Sequence, residues 1–104
     1  MADELMDYWV SFRIADDLTR SDRYSALSQS VEEYCGNVWQ ETTSFYLADS
    51  YLTIDALGKQ LTKKLNPKKD ILIIRMLNSK NARYFGAVED LDLLEAFLPK
   101  IKSL

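Results

Sequence analysis

The chain has 104 residues, of which 47% are hydrophobic and 28% charged, and this composition is typical of one compact domain. A chain of this length is too short for two domains. It contains no histidine, which excludes Ser-His triads and histidine-bearing zinc sites, and its single cysteine, Cys35, excludes an internal disulfide. The net charge of −3 is unevenly spread, because residues 54–83 carry eight basic and two acidic side chains while residues 1–53 carry three basic and ten acidic ones. We therefore predict a single domain over residues 1–104 with a basic segment in its middle third.

The first predicted element is a strand over residues 8–14, in which apolar and polar positions alternate. One face carries Tyr8, Val10, Phe12 and Ile14, and the opposite face carries Trp9, Ser11 and Arg13. A helix follows, with Ser21 as its predicted N-cap and Cys35-Gly36 as its end. Its apolar stripe is formed by Tyr24, Leu27, Val31 and Tyr34, which predicts a single buried face. Cys35 is interpreted as a small buried residue at the helix end, because no histidine exists to activate it as a nucleophile.

Residues 38–43 and 44–48 are rich in β-branched and aromatic side chains and predict two strands around a tight turn or a bulge. One longer bent strand is the alternative, since no Asn-Gly or Gly-Gly pair marks a reversal. Thr53 then caps a predicted helix that ends at Asn66-Pro67. The apolar stripe of this helix is Ile54, Leu57, Leu61 and Leu65.

A nearly continuous apolar strand is predicted over residues 70–77, and the order β-α-β-β-α-β is that of a ferredoxin-like sandwich. We therefore expect an α+β fold with a core of about residues 8–77. The remaining residues, 78–104, form a C-terminal extension with an extra strand over 83–88 and a short helix over 90–101, which Pro99 weakens near its end.

The strand over 70–77 is apolar on both faces, whereas a sheet covered on one side is expected to alternate. A second cover is therefore needed, either the C-terminal helix folding back on its own sheet or another copy of the chain. We favour a homodimer, in which the extra strand extends one subunit's sheet or its partner's. The residues predicted at its interface are Trp9, Arg13, Ile71, Ile73 and Arg75.

Three segments carry a resemblance to a known family: residues 9–17 with the helix after them, residues 38–45, and the strand over 70–77. Over about residues 8–88 the chain resembles the small CRISPR-associated adaptor and endonuclease that accompanies the spacer integrase. It looks more similar still to stand-alone bacterial relatives often labelled SinR family. The resemblance implies a ferredoxin-like subunit in a homodimer, with the end of the first strand at the twofold axis.

In that family the first strand ends in an aromatic-Asp-aliphatic motif, whose Asp is held to bind a divalent metal for phosphodiester cleavage. The matching residues here are Phe12-Arg13-Ile14, and a guanidinium repels Mg²⁺ instead of binding it. We therefore predict no metal and no other cofactor. Asp16 and Asp17 are weak catalytic candidates, since acids at this position are more typical of the turn that leads into a helix.

Three function classes remain open. We favour a non-enzymatic homodimer of undetermined cellular role, which includes a module that binds another protein. The alternatives are a nucleic-acid-binding protein and a metal-dependent nuclease rebuilt around Asp16, Asp17 or Asp22. Phosphate contacts would use Lys59, Lys63, Lys64, Lys68, Lys69 and Arg13. Met1–Asp7 has no basic stretch and no apolar run reaches the length of a membrane span, so we expect a cytoplasmic protein without membrane contact.

Overall fold

The structure, a computed structural model, describes residues 4–104. The first residues of the segment Met1–Asp7, on which the expectation of a cytoplasmic protein partly rests, lie outside that range. Within it the chain is a mixed α+β fold with the elements β1 (Met6–Arg13), α1 (Arg20–Tyr34), β2 (Val38–Trp39), β3 (Phe45–Ser50), α2 (Ile54–Thr62), β4 (Ile71–Met76), β5 (Ala82–Gly86), α3 (Leu91–Phe97) and β6 (Lys102–Ser103). Among these residues no helix is long and apolar enough to cross a membrane.

The described strands form one six-stranded sheet in the order β2-β3-β1-β4-β5-β6. Each neighbouring pair is antiparallel except β5 and β6, which run parallel. The central strand β1 pairs with β3 on one side and β4 on the other. Its predicted alternation is confirmed, because Tyr8, Val10 and Phe12 are buried while Ser11 and Arg13 are exposed.

Helices α1 and α2 pack on the buried face of the sheet. The core joins side chains of both helices to those of the three central strands, among them Leu27, Leu57, Tyr8, Tyr46 and Ile74. The cap and the buried stripe predicted for α2 are confirmed, since the Thr53 hydroxyl accepts from the backbone N–H of Ala56 and Ile54, Leu57, Leu61 and Leu65 are buried. The predicted end at Asn66-Pro67 is wrong, because α2 ends at Thr62 and Leu65 lies beyond it.

The start of α1 differs from the prediction. The helix begins at Arg20 with Thr19 at the N-cap position, two residues earlier than a Ser21 cap requires. Tyr24, predicted in the buried stripe, is 39% exposed, whereas Arg23 is 8% exposed. The reason is that Arg23 turns inward to pair with buried Asp70 and half-buried Asp17, so its neighbour Tyr24 lies nearer the surface, beside Phe12.

The prediction of the two strands between α1 and α2 is wrong in its details. Strand β2 covers two residues and β3 ends at Ser50, so residues 40–44 form a five-residue connection instead of a tight turn or a continuous bent strand. Ser44 adopts a left-handed backbone conformation with φ of 56°. Glycine and asparagine are the residues that usually adopt it, so a serine at this position gave no sign of it in the sequence. Asp49 fixes the start of the hairpin by accepting from the backbone and side-chain N–H groups of Asn37.

The strand and the helix of the C-terminal extension are also shorter than predicted. The extra strand is confirmed as β5, but the helix expected over 90–101 is α3, which begins after an Asp90 cap and ends at Phe97. Pro99 cannot continue a helix, and the chain instead turns into the short parallel strand β6, which was not predicted. Ile101, the last residue of the predicted helix, is buried but lies beyond the end of α3.

Candidate functional site

The side of the sheet that α1 and α2 leave uncovered is called the open face below. Directly paired residues on neighbouring strands share a face, so the strand register defines its members. One row across the sheet consists of Trp39, Leu47, Trp9, Arg75 and Ala82, and the next consists of Phe45, Ser11, Ile73 and Tyr84. The open face thus carries two tryptophans and two further aromatic side chains on four different strands.

The five residues predicted at the interface all lie on the open face. Trp9 pairs with Arg75, and Arg13 pairs with Ile71 on the same two strands. Ile73 lies between them opposite Ser11. Sequence reasoning missed Phe45, Leu47, Trp39 and Tyr84, although the alternation of Phe45 and Leu47 with buried Tyr46 and Ala48 is a signal that could have placed them.

Aromatic stacking organises one half of the open face. The rings of Trp9 and Phe45 lie parallel to within 29°, with their centroids 6.3 Å apart. Trp39, beyond Leu47 at the β2 edge, is 40% exposed. Aromatic and arginine side chains concentrated on one surface are typical of interaction sites. This half, formed by Trp39, Leu47, Trp9 and Phe45, is called the aromatic floor below.

Helix α3 borders the other half of the open face. Together with Ile71 and Ile73 it lines an apolar cavity of about 330 Å³, to which Leu93, Leu94 and Phe97 contribute from the helix. No residue within α3 is buried, and Leu93 and Phe97 are 54% and 77% exposed. The C-terminal extension therefore covers part of its own sheet but leaves its own apolar side chains in contact with solvent.

Arg75 lies in the middle of the open face with one nitrogen unsatisfied. Its Nη1 donates to the carbonyl oxygen of Met76 at 3.4 Å. Its Nε is buried and has no acceptor among residues 4–104. A buried donor without a partner is costly, so Arg75 destabilises the subunit at this position.

A second polar arrangement lies at the end of β1, where four ionised side chains form a chain of ion pairs. Arg23 Nε donates to Asp70 Oδ2 at 2.8 Å, and Arg23 Nη1 donates to Asp17 Oδ1 at 3.0 Å. Lys69 Nζ donates to Asp17 Oδ2 at 2.9 Å. Asp70 is fully buried and also accepts from the backbone N–H groups of Asn66 and Ala15. This chain of contacts, Lys69–Asp17–Arg23–Asp70, is called the ion-pair network below.

The ion-pair network changes the chemistry of the predicted catalytic candidates. Hydrogen bonds from Arg23 and Lys69 hold the pKa of Asp17 far below its usual range. Burial acts to raise the pKa of Asp70, but the donors Asn66, Ala15 and Arg23 outweigh it and lower the value. Asp17 also accepts from the backbone N–H of Thr19, which places it in the turn before α1. Its oxygens are thus engaged by cations, and residues 4–104 contain no cluster of three potential metal ligands.

The two lowered pKa values predict acid sensitivity. The unfolded chain takes up protons at these carboxyl groups as the pH falls through about 4, whereas the folded chain resists protonation until lower pH, so their stabilisation is lost progressively below pH 5. Urea unfolding at pH 7, 5 and 3 measures this loss. Asp17→Asn is expected to reduce the difference in stability between pH 5 and pH 3. Asp22→Asn is the control, because the carboxylate of Asp22 makes no ion pair within residues 4–104. Equal pH dependence in all three proteins would contradict the assignment.

The predicted phosphate-binding residues do not form one surface. Lys59 lies in α2 and Lys63 and Lys64 follow at its end, on the helix side of the sheet, whereas Arg13 lies on the open face. Lys63 Nζ bonds to Gln60 Oε1 and lies 5.4 Å from the centre of the Tyr34 ring. Lys68 is exposed in the turn before β4, and Lys69 is neutralised by Asp17.

Cys35 is half-buried at the end of α1, as its predicted structural role requires. Burial, with a smaller contribution from nearby Asp49, raises the pKa of its thiol to about 11. The thiolate fraction at neutral pH is therefore very small, and the side chain is a poor nucleophile.

The chain matches no known protein family, and no curated protein is similar to it in sequence. Its function therefore has to be argued from the open face and the end of β1.

Proposed function

We propose that the protein is a non-enzymatic homodimer whose subunits pack through their open faces. The strand order β2-β3-β1-β4 with two helices on one face supports a ferredoxin-like core over about residues 8–77. The resemblance to the CRISPR-associated and SinR-labelled proteins is part of the same proposal, as is a cytoplasmic location with Cys35 reduced.

The observation that carries the dimer is the division of the open face into a ridge and a floor. Helix α3 forms the ridge, with Leu93 and Phe97 exposed on it. The aromatic floor lies on the opposite half and is not covered by any element of residues 4–104. A twofold axis near the centre of the face lays the ridge of each subunit on the floor of the other, which makes the surface self-complementary.

Charge favours the same pairing. The ridge segment 89–95 is acidic, with Glu89, Asp90, Asp92 and Glu95. The centre of the face carries Arg75. A second copy brings carboxylates to Arg75, and complementary charge of this kind fixes the orientation of an interface.

Two substitutions test this proposal from opposite sides of the interface. Trp9→Glu on the floor and Phe97→Glu on the ridge are each expected to shift the species observed by sedimentation velocity from dimer to monomer, because each buries an unpaired charge. Phe97 is 77% exposed, so its substitution leaves the subunit folded. Leu18→Glu is the matched control, since Leu18 is fully exposed outside the open face.

The proposal is wrong if Phe97→Glu sediments as the parent protein does. It is also wrong if Leu18→Glu dissociates the dimer as readily as Phe97→Glu, because the effect would then follow from net charge alone. For the alternative of a nuclease, Asp17 is a poor metal ligand because its carboxylate is engaged by Arg23 and Lys69.

A further inference from the structure

An open cleft of about 530 Å³ lies at the end of β1, lined by Arg13, Ile14, Ala15, Asp16 and Arg20. We propose that this cleft binds a phosphate group carrying two negative charges, as inorganic phosphate or the terminal phosphate of a larger molecule does. All five lining residues belong to one chain, so the inference does not depend on the proposed dimer.

Arg20 is held in place by two contacts that leave most of its donors free. Its Nε donates to the carbonyl oxygen of Ile14 at 3.2 Å, and its guanidinium lies 5.8 Å from the centre of the Tyr24 ring. These contacts fix the plane of the group. Its two Nη groups have no acceptor among residues 4–104 and remain available to a ligand.

Arg13 contributes the second cation. Its side chain is exposed, and it makes no ion pair with any residue of the described part of the chain. Two guanidinium groups on one cleft repel each other, and an anion between them removes that repulsion while accepting hydrogen bonds from both.

Nearby acids neutralise this pair only in part. Asp17, two residues beyond Ala15, is already engaged by Arg23 and Lys69. Asp16 lines the cleft and makes no ion pair within residues 4–104. The lining thus has two positive charges and one negative charge, and this excess favours a dianion over a carboxylate or a phosphodiester, each of which carries a single charge.

The wall of the cleft is rigidly supported. The N–H of Ala15 donates to Asp70 Oδ1 at 2.9 Å, and the carbonyl oxygen of Ala15 accepts from Arg23 Nη2 at 3.1 Å. The ion-pair network therefore anchors the backbone between Arg13 and Arg20 from both sides. Because the site is already ordered, ligand binding costs little conformational entropy. A few contacts are then enough for measurable affinity.

The direct test is a titration of the full chain with inorganic phosphate, followed by amide NMR at constant ionic strength, with sodium chloride as the reference. Saturable shifts are expected at the amides of Ala15 and Asp16. Arg20→Gln is expected to weaken binding by about tenfold or more, since it removes charge-assisted donors. Asp16→Asn is expected to strengthen binding because it removes the opposing charge, and Lys100→Gln, an exposed lysine elsewhere, is expected to change nothing.

The same readout distinguishes the source of the phosphate. A short single-stranded oligonucleotide with a 5′-phosphate is compared with the same oligonucleotide lacking it. Tighter binding of the phosphorylated strand than of inorganic phosphate assigns the site to a nucleic-acid end, and equal binding assigns it to a small phosphorylated molecule. The proposal is wrong if the shifts do not saturate, or if Arg20→Gln and Lys100→Gln bind phosphate with equal affinity. It is also wrong if both oligonucleotides bind equally and the protein does not respond to phosphate.

Discussion

Asp70→Ala is expected to lower the free energy of unfolding by about 3–5 kcal/mol, the usual cost of removing one partner from a buried ion pair. Asp70 is fully buried and accepts from Arg23 Nε at 2.8 Å, Asn66 N–H at 2.8 Å and Ala15 N–H at 2.9 Å. Its removal leaves three donors without an acceptor at a site that water does not reach. A loss of this size is a large fraction of the roughly 5–15 kcal/mol by which a small domain is stable.

Urea unfolding followed by circular dichroism measures this loss. Asp55→Ala is the matched control, because Asp55 also pairs with an arginine, Arg83, at 2.7 Å but is about half exposed. An exposed pair contributes at most about 1 kcal/mol. Asp70→Asn, which keeps the shape of the side chain, remains measurable if the alanine variant does not fold. Similar losses in Asp70→Asn and Asp55→Ala would contradict the central structural role of the ion-pair network.

Gly86→Ala is expected to destabilise the protein by about 3 kcal/mol or more, the sum of a backbone penalty and a steric clash. Gly86 has a φ of 96°, and an added Cβ would lie 1.8 Å from the carbonyl oxygen of Asp70. That oxygen also accepts from the N–H of Ala87, so relief of the clash breaks a second contact.

Thermal unfolding compares this variant with Gly36→Ala. The Cβ added at Gly36 would meet the side-chain oxygen of Asp49, which can rotate away at the cost of its bonds to Asn37. The melting temperature is expected to fall several times further for Gly86→Ala than for Gly36→Ala. Comparable decreases would show that β5 can separate from the start of β4 without loss of stability.

The parts of the fold that were predictable from the sequence are those where hydrophobic periodicity and burial agree. In β1 the alternation of Tyr8 and Val10 with Trp9 identifies both faces, and in α2 the stripe from Ile54 to Leu65 matches the buried side. The excess of apolar residues in β4 correctly indicated that its second face needs a cover, because Ile71 and Ile73 line the cavity under α3.

The wrong predictions of secondary structure and burial arise where contacts between residues distant in the sequence override the local hydrophobic pattern. An arginine in the first turns of a helix is normally solvated, and Arg23 is buried because Asp70, 47 residues away, supplies its counter-charge. The connection after β2 has no turn signature, since its left-handed residue is Ser44 and not glycine. A two-residue edge strand such as β6 has no periodicity to detect.

The candidate site was predictable in part for the same reasons. Trp9, Arg13 and Arg75 were placed on one face by strand alternation alone, and the register supports that placement. The importance of Arg20 was missed, because its position beside Arg13 depends on how the turn after β1 is held by Asp17 and Asp70. Residues that meet through a loop leave no regular spacing in the sequence.

The mass of the parent protein in solution tests the proposed dimer most directly. Sedimentation equilibrium from 1 to 100 µM is expected to give twice the chain mass of 12.0 kDa over the upper part of this range. The ridge of α3 and the aromatic floor then exclude solvent from each other. A mass of 12.0 kDa at every concentration would contradict the account and leave the open face as the exposed surface of a monomer.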